Sequence, residues 1–342
     1  MSNEEHLYQN LIYSTKPIAT VSRALNGRQD VSAQTQERVL LAAQSLGYSP
    51  NIAGRNLRKG RMNTVILMLP AGNSDDCYSS SFFMRIACGL QASLKSAGID
   101  VILHVSMNMS EEMIWLRNVV EQNMTDALIL TDTKINDSRI PFLNAHSFPF
   151  VMLGRSNSQD ENTHWVDFDF AKLAALSTRR FITQGHTRIA LSSLGNQSMQ
   201  GMLFTQSYRD TMSAYGLEID ENLISEGELN EKSGFQSADK WLTSTNPPTA
   251  AVFINDLQAV GAFFRMKKHP LQTSLPSFFG IISSDISSFI EPSPSGCVLP
   301  LHLLGEALAD AVLHALQHPK DMAVQRLFDV KITEGLSHSY IE

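Results

Sequence analysis

Apolar residues recur along this chain in two rhythms, and the change between them falls near residue 62. Before it the spacing is helical. In TVSRALN, starting at Thr20, Val21 and the pair Ala24–Leu25 share one face, and Gly27 stands where glycine ends a helix. In VSAQTQERVLLAAQSLGYSPN, Ser32 is placed to cap a helix with Val39, Leu40, Ala43 and Leu46 as its buried stripe; Gly47 and Pro50 stop it. A third short helix is expected from Ile52 to Lys59. Beyond residue 62, TVILMLP is wholly apolar, as in a parallel strand covered on both faces. An amphipathic helix, FFMRIACGLQASLKSAG, follows, then the strand VILHVS, a helix from Glu111 to Gln122, and the strand ALILTD. The alternation continues through FVMLG, a helix from Ala171 to Gln184, RIALSS, a helix near Ser207–Tyr215, and AAVFIND. Strands alternating with helices mean βαβ units and parallel sheets. About 280 residues of this pattern exceed one sheet, which predicts two α/β subdomains facing a cleft.

Composition narrows the class. Of 342 residues, 43% are hydrophobic and 18% charged, which is globular, and no apolar run reaches the length of a membrane helix. The opening MSNEEHLYQN lacks the basic-then-apolar order of a secretory signal, so a cytoplasmic protein is expected. Cys77, Cys88 and Cys297 form no CxxC pair and read as buried free thiols. The ten histidines are scattered, with no HExxH, and no metal site is expected. The sequence has no nucleophile elbow, P-loop or dinucleotide fingerprint, which argues against an enzyme and against a bound cofactor.

Charge separates the two rhythms. Residues 1–61 hold eight Lys and Arg against four acids, a balance of +4, while the remainder holds 19 against 30, or −11. A basic head on an acidic body points to a nucleic-acid partner for the head alone. Two short helices, a tight turn and a basic tail read as a helix-turn-helix, whose second helix (here about Pro17 to Asn26) enters the major groove. The same pattern also fits a small helical cap on the α/β body.

TVSRALNG, then VSAQTQERVLLAAQSLGYSPN, then GRNLRKGR resembles the head of the lactose/galactose repressor family of transcription factors. GHTRIALSS (185–193), NDLQAVGA (255–262) and LLGEALADAVL (303–313) carry the resemblance through the body. It implies an α/β fold: a small all-α helix-turn-helix head, and two Rossmann-like α/β subdomains of periplasmic-binding-protein type. The head would span 1–48 and a hinge helix 49–61. The core would span 62–342, divided into a first subdomain at about 62–161 and 298–326 and a second at about 162–297 and 327–342.

The family's roles transfer where residues match. Thr20, Ser22 and Arg23 would contact phosphates and base edges, and Ser32 and Thr35 the phosphate backbone. Asn26 and Tyr48 match structural or phosphate-contacting positions. Ile18 and Ala19 occupy base-reading positions, where apolar side chains can touch thymine methyl groups but cannot hydrogen-bond a base edge. Asn51 to Arg61 resembles the hinge helix, with Leu57 at the position of the leucine that wedges into the minor groove. Arg55, Arg58, Lys59 and Arg61 would neutralise phosphates. Gly54 replaces a usual alanine, at a cost of about 1 kcal/mol to the hinge helix.

The pattern breaks ahead of Thr20. Where the family has roughly DVAxxAGVS, this chain has QNLIYSTKP, without the small alanines or the glycine turn. Two readings compete. Ser2 and Glu5 can form a capping box ahead of an alternative helix carrying Leu7, Tyr8, Leu11 and Ile12, with Pro17 starting the recognition helix. Alternatively, unrelated sequence replaces the first helix, as a frameshift or mis-called gene start would cause, and operator binding is weakened or lost.

For the core, the resemblance implies a small polar ligand between subdomains. Asn255, after the strand AAVFI, and Asp285 match ligand-contacting positions, though both residue types also cap helices and turns. Phe204 stands where many members carry an arginine, so a ring replaces a guanidinium fork; it can stack on a sugar's apolar side or equally belong to the core. Phe82 and Phe83 match an aromatic pair lining the cleft, and Trp165 and Asp167 sit close enough to the subdomain border to face it. The expected function is a sugar-controlled repressor of a carbohydrate-utilisation operon, binding a palindromic double-stranded operator as a homodimer or a tetramer. The alternative is a diverged small-molecule-binding protein without operator binding.

Overall fold

The computed structural model of the protein describes residues 18–25, 30–46, 61–70, 80–106, 108–195, 197–268, 277–282, 295–319, 321–330 and 332–333. The chain parts into two compact units, Met1–Met62 and Asn63–Glu342.

In the first unit, α1 (Ile18–Leu25) packs on α2 (Ala33–Ser45). Val21, Ala24 and Val39 are buried between them, with Leu25, Val31 and Ala42 at the margin. Ser32 caps α2 as its residue type predicts: its Oγ accepts from Thr35 N at 3.4 Å and lies 2.9 Å from Thr35 Oγ1. The expected stripe on α2 is corrected at two positions. Leu40 is 50% and Leu46 44% exposed, and only Val39 and Ala43 are buried. Each residue is rotated about 100° from its neighbour, so Leu40 turns away from the face that Val39 and Ala43 share. The expected first helix, the head residues Asn26 and Tyr48, the hinge residues before Arg61, including Asn51, Arg55, Leu57 and Arg58, and Cys77 and Asp285 lie outside the described residues, as do the side chains of Ile18 and Ala19. Of the thiols expected to be buried, Cys297 is, but Cys88 is exposed.

The second unit contains two six-stranded sheets. Its elements begin with β1 (Thr64–Leu69), α3 (Ser80–Leu94), β2 (Asp100–Val105), α4 (Met109–Glu121) and β3 (Ala127–Leu130). Then come α5 (Arg139–Ala145), β4 (Phe150–Leu153), β5 (His164–Phe168), α6 (Phe170–Thr183), β6 (Ile189–Leu194) and α7 (Met199–Ala214). They continue as β7 (Ile224–Gly227), α8 (Glu231–Leu242), β8 (Ala250–Phe253), α9 (Asp256–Lys267), β9 (Ser277–Ile282) and β10 (Ser295–Val298). The last are α10 (Leu301–Gln317), β11 (Gln325–Phe328) and β12 (Ile332–Thr333). The first sheet, in the order β11-β5-β4-β3-β1-β2, is parallel throughout. The second, β12-β10-β9-β8-β6-β7, is parallel except for β12 against β10. The chain passes between the sheets three times: from β5 to β6, from β10 to β11, and from β11 to β12.

The apolar runs follow from cover on both faces. In β1, Val65 and Leu67 enter one core cluster while Ile66 and Met68 enter another, and β3 divides the same way at Ala127 and Ile129 against Leu128 and Leu130. Helices cross closely at glycine pairs. A Cβ on Gly89 of α3 would collide with the His302 carbonyl, and one on Gly305 of α10 with the Ile86 carbonyl. In the second lobe, Gly234 of α8 and Gly261 of α9 lie as close to the carbonyls of Gln258 and Glu231.

The subdomain border shifts from its expected place. β5 pairs with β4 and β11, so His164–Phe168 belong to the first sheet, as do Leu327 and Phe328 of β11, all expected in the second subdomain. The helix expected near Ser207–Tyr215 begins at Met199, because Ser198 caps it by accepting from Gly201 N at 3.3 Å.

Candidate functional site

A cleft of about 990 Å³, counted to its open mouth, lies among the carboxyl ends of strands from both sheets. Pro70 follows β1, Thr131 and Asp132 follow β3, and Leu153, Asp167 and Phe168 end β4 and β5. From the second lobe come Leu194, Leu229, Ile254 and Asn255, at or after β6, β7 and β8. Open parallel sheets leave their crevices at this edge.

Phe82 and Phe83, early in α3, line the cleft half-buried, their rings edge to face with centroids 5.0 Å apart. Asn255 lines it as well and also caps α9, its Oδ1 accepting from Gln258 N at 2.9 Å. That leaves the amide NH2 as the donor the residue can offer a ligand. Phe204 requires correction: it is 0% exposed, packs in the core beside Tyr208, and does not line the cleft. Tyr208 pins that face of α7 inward by donating from its hydroxyl to Ile189 O at 2.7 Å. The α7 residue that reaches the cleft is Gln200, one turn earlier. Gln200, Thr131 and Asp132 were not singled out from the sequence.

Asp167 is the buried acid of the site, 1% exposed. Arg155 Nε donates to its Oδ2 at 2.8 Å, and Phe168 N to its Oδ1 at 2.8 Å. Burial pushes its carboxyl up to about 6, against the opposing pull of Arg155. Trp165 points elsewhere: its ring lies under the Arg155 guanidinium, 5.5 Å from the centroid, and does not line the cleft. Asp132, with φ of 50°, pairs with Lys134 Nζ at 2.6 Å. The floor below is held by Arg139, 3% exposed, which donates to Asp137 Oδ1 and Oδ2 (2.9 and 2.7 Å), Glu112 Oε1 (2.7 Å) and Thr131 O (2.9 Å). Burial raises the Glu112 carboxyl despite that ion pair, whereas the Arg139 bonds outweigh burial at Asp137 and lower it.

In the head, burial of Val21 and Ala24 turns Ser22 and Arg23 to solvent, with Thr20 half-buried. Arg23 Nη1 lies 3.5 Å from Asp30 Oδ2, an exposed pair that holds the guanidinium loosely. Ser32 is exposed and Thr35 half-buried at the start of α2.

A two-lobed α/β core around a polar-and-aromatic cleft, preceded by a helix pair that turns Ser22, Arg23 and Ser32 to solvent, is the arrangement of ligand-responsive DNA-binding regulators. Comparison with known proteins makes this specific. Residues 64–330 match the periplasmic binding proteins and sugar binding domain of LacI family, and residues 17–51 match the bacterial regulatory proteins, lacI family. The HTH-type transcriptional regulator AglR of Rhizobium meliloti is 31% identical over 243 residues, 71% of this chain and 67% of that protein. RafR of Escherichia coli is 31% identical over 245 residues, 72% of this chain and 71% of the relative. The solved CelR–cellobiose complex superposes with a TM-score of 0.74 at 24% identity, covering 97% of this chain and 99% of that one. A regulator from Bacillus cereus subsp. cytotoxis gives 0.77 at 19% identity, covering 82% and 99%. The chain belongs to the LacI family of bacterial transcriptional regulators, and its head match begins at residue 17, the last residue of QNLIYSTKP.

Proposed function

We propose that the protein represses a carbohydrate-utilisation operon, binding a palindromic operator as a homodimer and changing affinity when an uncharged sugar enters the cleft. The observation that carries this reading is the cleft lining. Phe82 and Phe83 offer faces for a sugar's apolar side, while Asp167, Asn255 and Gln200 offer acceptors and donors for hydroxyls. No Lys or Arg lines the cleft among the described residues, which favours a neutral sugar over a phosphorylated one. Thr20, Ser22 and Arg23 form the DNA-contacting face, with Ser32 and Thr35 on phosphate. The test is selection from fragmented genomic DNA with the purified full chain at low and moderate salt, followed by release with a panel of neutral mono- and disaccharides. Recovery of a palindrome released by one sugar supports the reading. Recovery of no sequence from folded protein overturns it and directs attention to QNLIYSTKP.

A further inference from the structure

Two loops from opposite lobes join beside the cleft. Lys134, after β3, and Ser198, after β6, face each other in an isolated antiparallel bridge. Ile135 N donates to Gln197 O at 2.9 Å and Met199 N donates to Thr133 O at 3.3 Å. Each partner loop is fixed to its own lobe. On the first-lobe side, Asp137 accepts from Lys134 N at 3.2 Å while Arg139 grips Asp137 and Thr131 on either side. Ile135 O accepts from Asn157 N at 2.8 Å and from Ser156 Oγ at 3.1 Å. On the second-lobe side, Ser198 is the cap of α7.

Gly154 follows β4 at the same junction, with φ of 117°. A Cβ there would lie 2.5 Å from Thr133 Oγ1 of its own lobe and 3.3 Å from Gln200 Nε2 of the other, so a larger residue strains the backbone and presses on both residues beside the bridge. Hydrogen bonds weaken steeply with distance and angle. Bonds between two braced bodies therefore survive only in a narrow range of lobe angles. Asp132 and Gln200, immediately flanking the bridge, line the cleft.

We propose that this bridge is a latch: it holds the lobes in one relative setting, and an effector touching Asp132 and Gln200 stabilises it, so that cleft occupancy sets the lobe angle. The coupling to an effector rests on the function proposed above; the latch itself rests on the geometry. Coupling requires that the ligand bind the latched state better than the unlatched one.

The test is the pair Lys134→Cys and Ser198→Cys in a full-length chain also carrying Cys77→Ser and Cys88→Ser. In an antiparallel pair whose flanking amides make the bonds, facing Cα atoms sit roughly 4.5 Å apart, within disulfide reach. The folded chain is expected to form this intramolecular disulfide in air, seen by mass and reversed by dithiothreitol. The oxidised chain is expected to differ at least about fivefold from the reduced chain in affinity for the selected operator. Gly154→Val provides a second variant: the Ile135 and Met199 amides should exchange hydrogen at least about tenfold faster, with the Ile129 and Leu191 amides unchanged. Failure to oxidise without denaturant, or unchanged exchange in Gly154→Val, removes the latch. Equal operator affinity of the oxidised and reduced forms removes the coupling. A wild-type chain that selects no DNA removes the regulator reading, while oxidation and exchange still decide the latch.

Discussion

Asp167 is acidic, buried and paired, and its pH behaviour follows from that order of effects. Burial raises the carboxyl from 3.8 to about 6. The fold therefore prefers the protonated acid. That contribution is present in full below pH 3.8 and is lost as pH rises through 6, a change of up to about 3 kcal/mol. Asp167→Asn cannot ionise. Between pH 7 and pH 4, urea unfolding should shift the stability difference in favour of the wild type by up to that amount; a flat difference would show that the acid is solvated. Phe204 and Phe82 give a contrast between core and cleft. Phe204→Ala should cost about 3–5 kcal/mol in unfolding free energy. Phe82→Ala should cost less stability and weaken sugar binding, measured by calorimetry. The sequence showed Phe82, Phe83 and Asn255 because they match a family pattern at strand and helix ends. It left Phe204 open between cleft and core because spacing from Tyr208 fixes a helical position, not the depth to which its ring sinks. Gln200 and Asp132 carry no periodic signal: a polar residue after a strand reads as a turn until the fold gathers several of them.

At the scale of elements, the legible pieces were those with a strong rhythm. β1, β3, β4 and β8 are buried throughout or nearly so, which leaves a plain apolar run. β7 (ISEG) and β11 (QRLF) lie at or near sheet edges with little burial, so neither leaves one. Placing β5 in the first sheet was beyond the sequence, since sheet membership depends on pairing between strands rather than on any one strand. The glycine crossings depend on backbone approach in the same way. Gly234→Ala or Gly305→Ala forces carbonyls apart on the facing helix and should cost about 1–3 kcal/mol or more. Chemical denaturation checks this, with Gly216→Ala, which meets no neighbouring atom but holds φ of 68°, as the comparison for backbone strain alone.

For the whole molecule, the split between a +4 head and a −11 remainder predicts how it meets DNA. Operator affinity should fall steeply between low and moderate salt, with a log–log slope set by the number of phosphates neutralised. Arg23→Ala should weaken binding without altering core stability, as read by a salt titration beside a melting curve. The outer edge strand β2 exposes Ile102, Leu103 and Val105, and α4 beside it exposes Ile114. For the homodimer proposed above, Ile114→Asp on α4 is expected to shift the chain toward monomer in analytical ultracentrifugation.

The threefold passage between sheets also affects the chain as it is made. β11 seals the first sheet beside β5, and β12 pairs with β10 in the second, both after residue 324. A nascent chain therefore holds both sheets unfinished and two strand edges open until residues 325–333 emerge. Any stop or cut before Gln325 would leave β5 and β10 as sticky margins, so a chain truncated there should go to aggregates or proteases rather than persist as a weakened regulator.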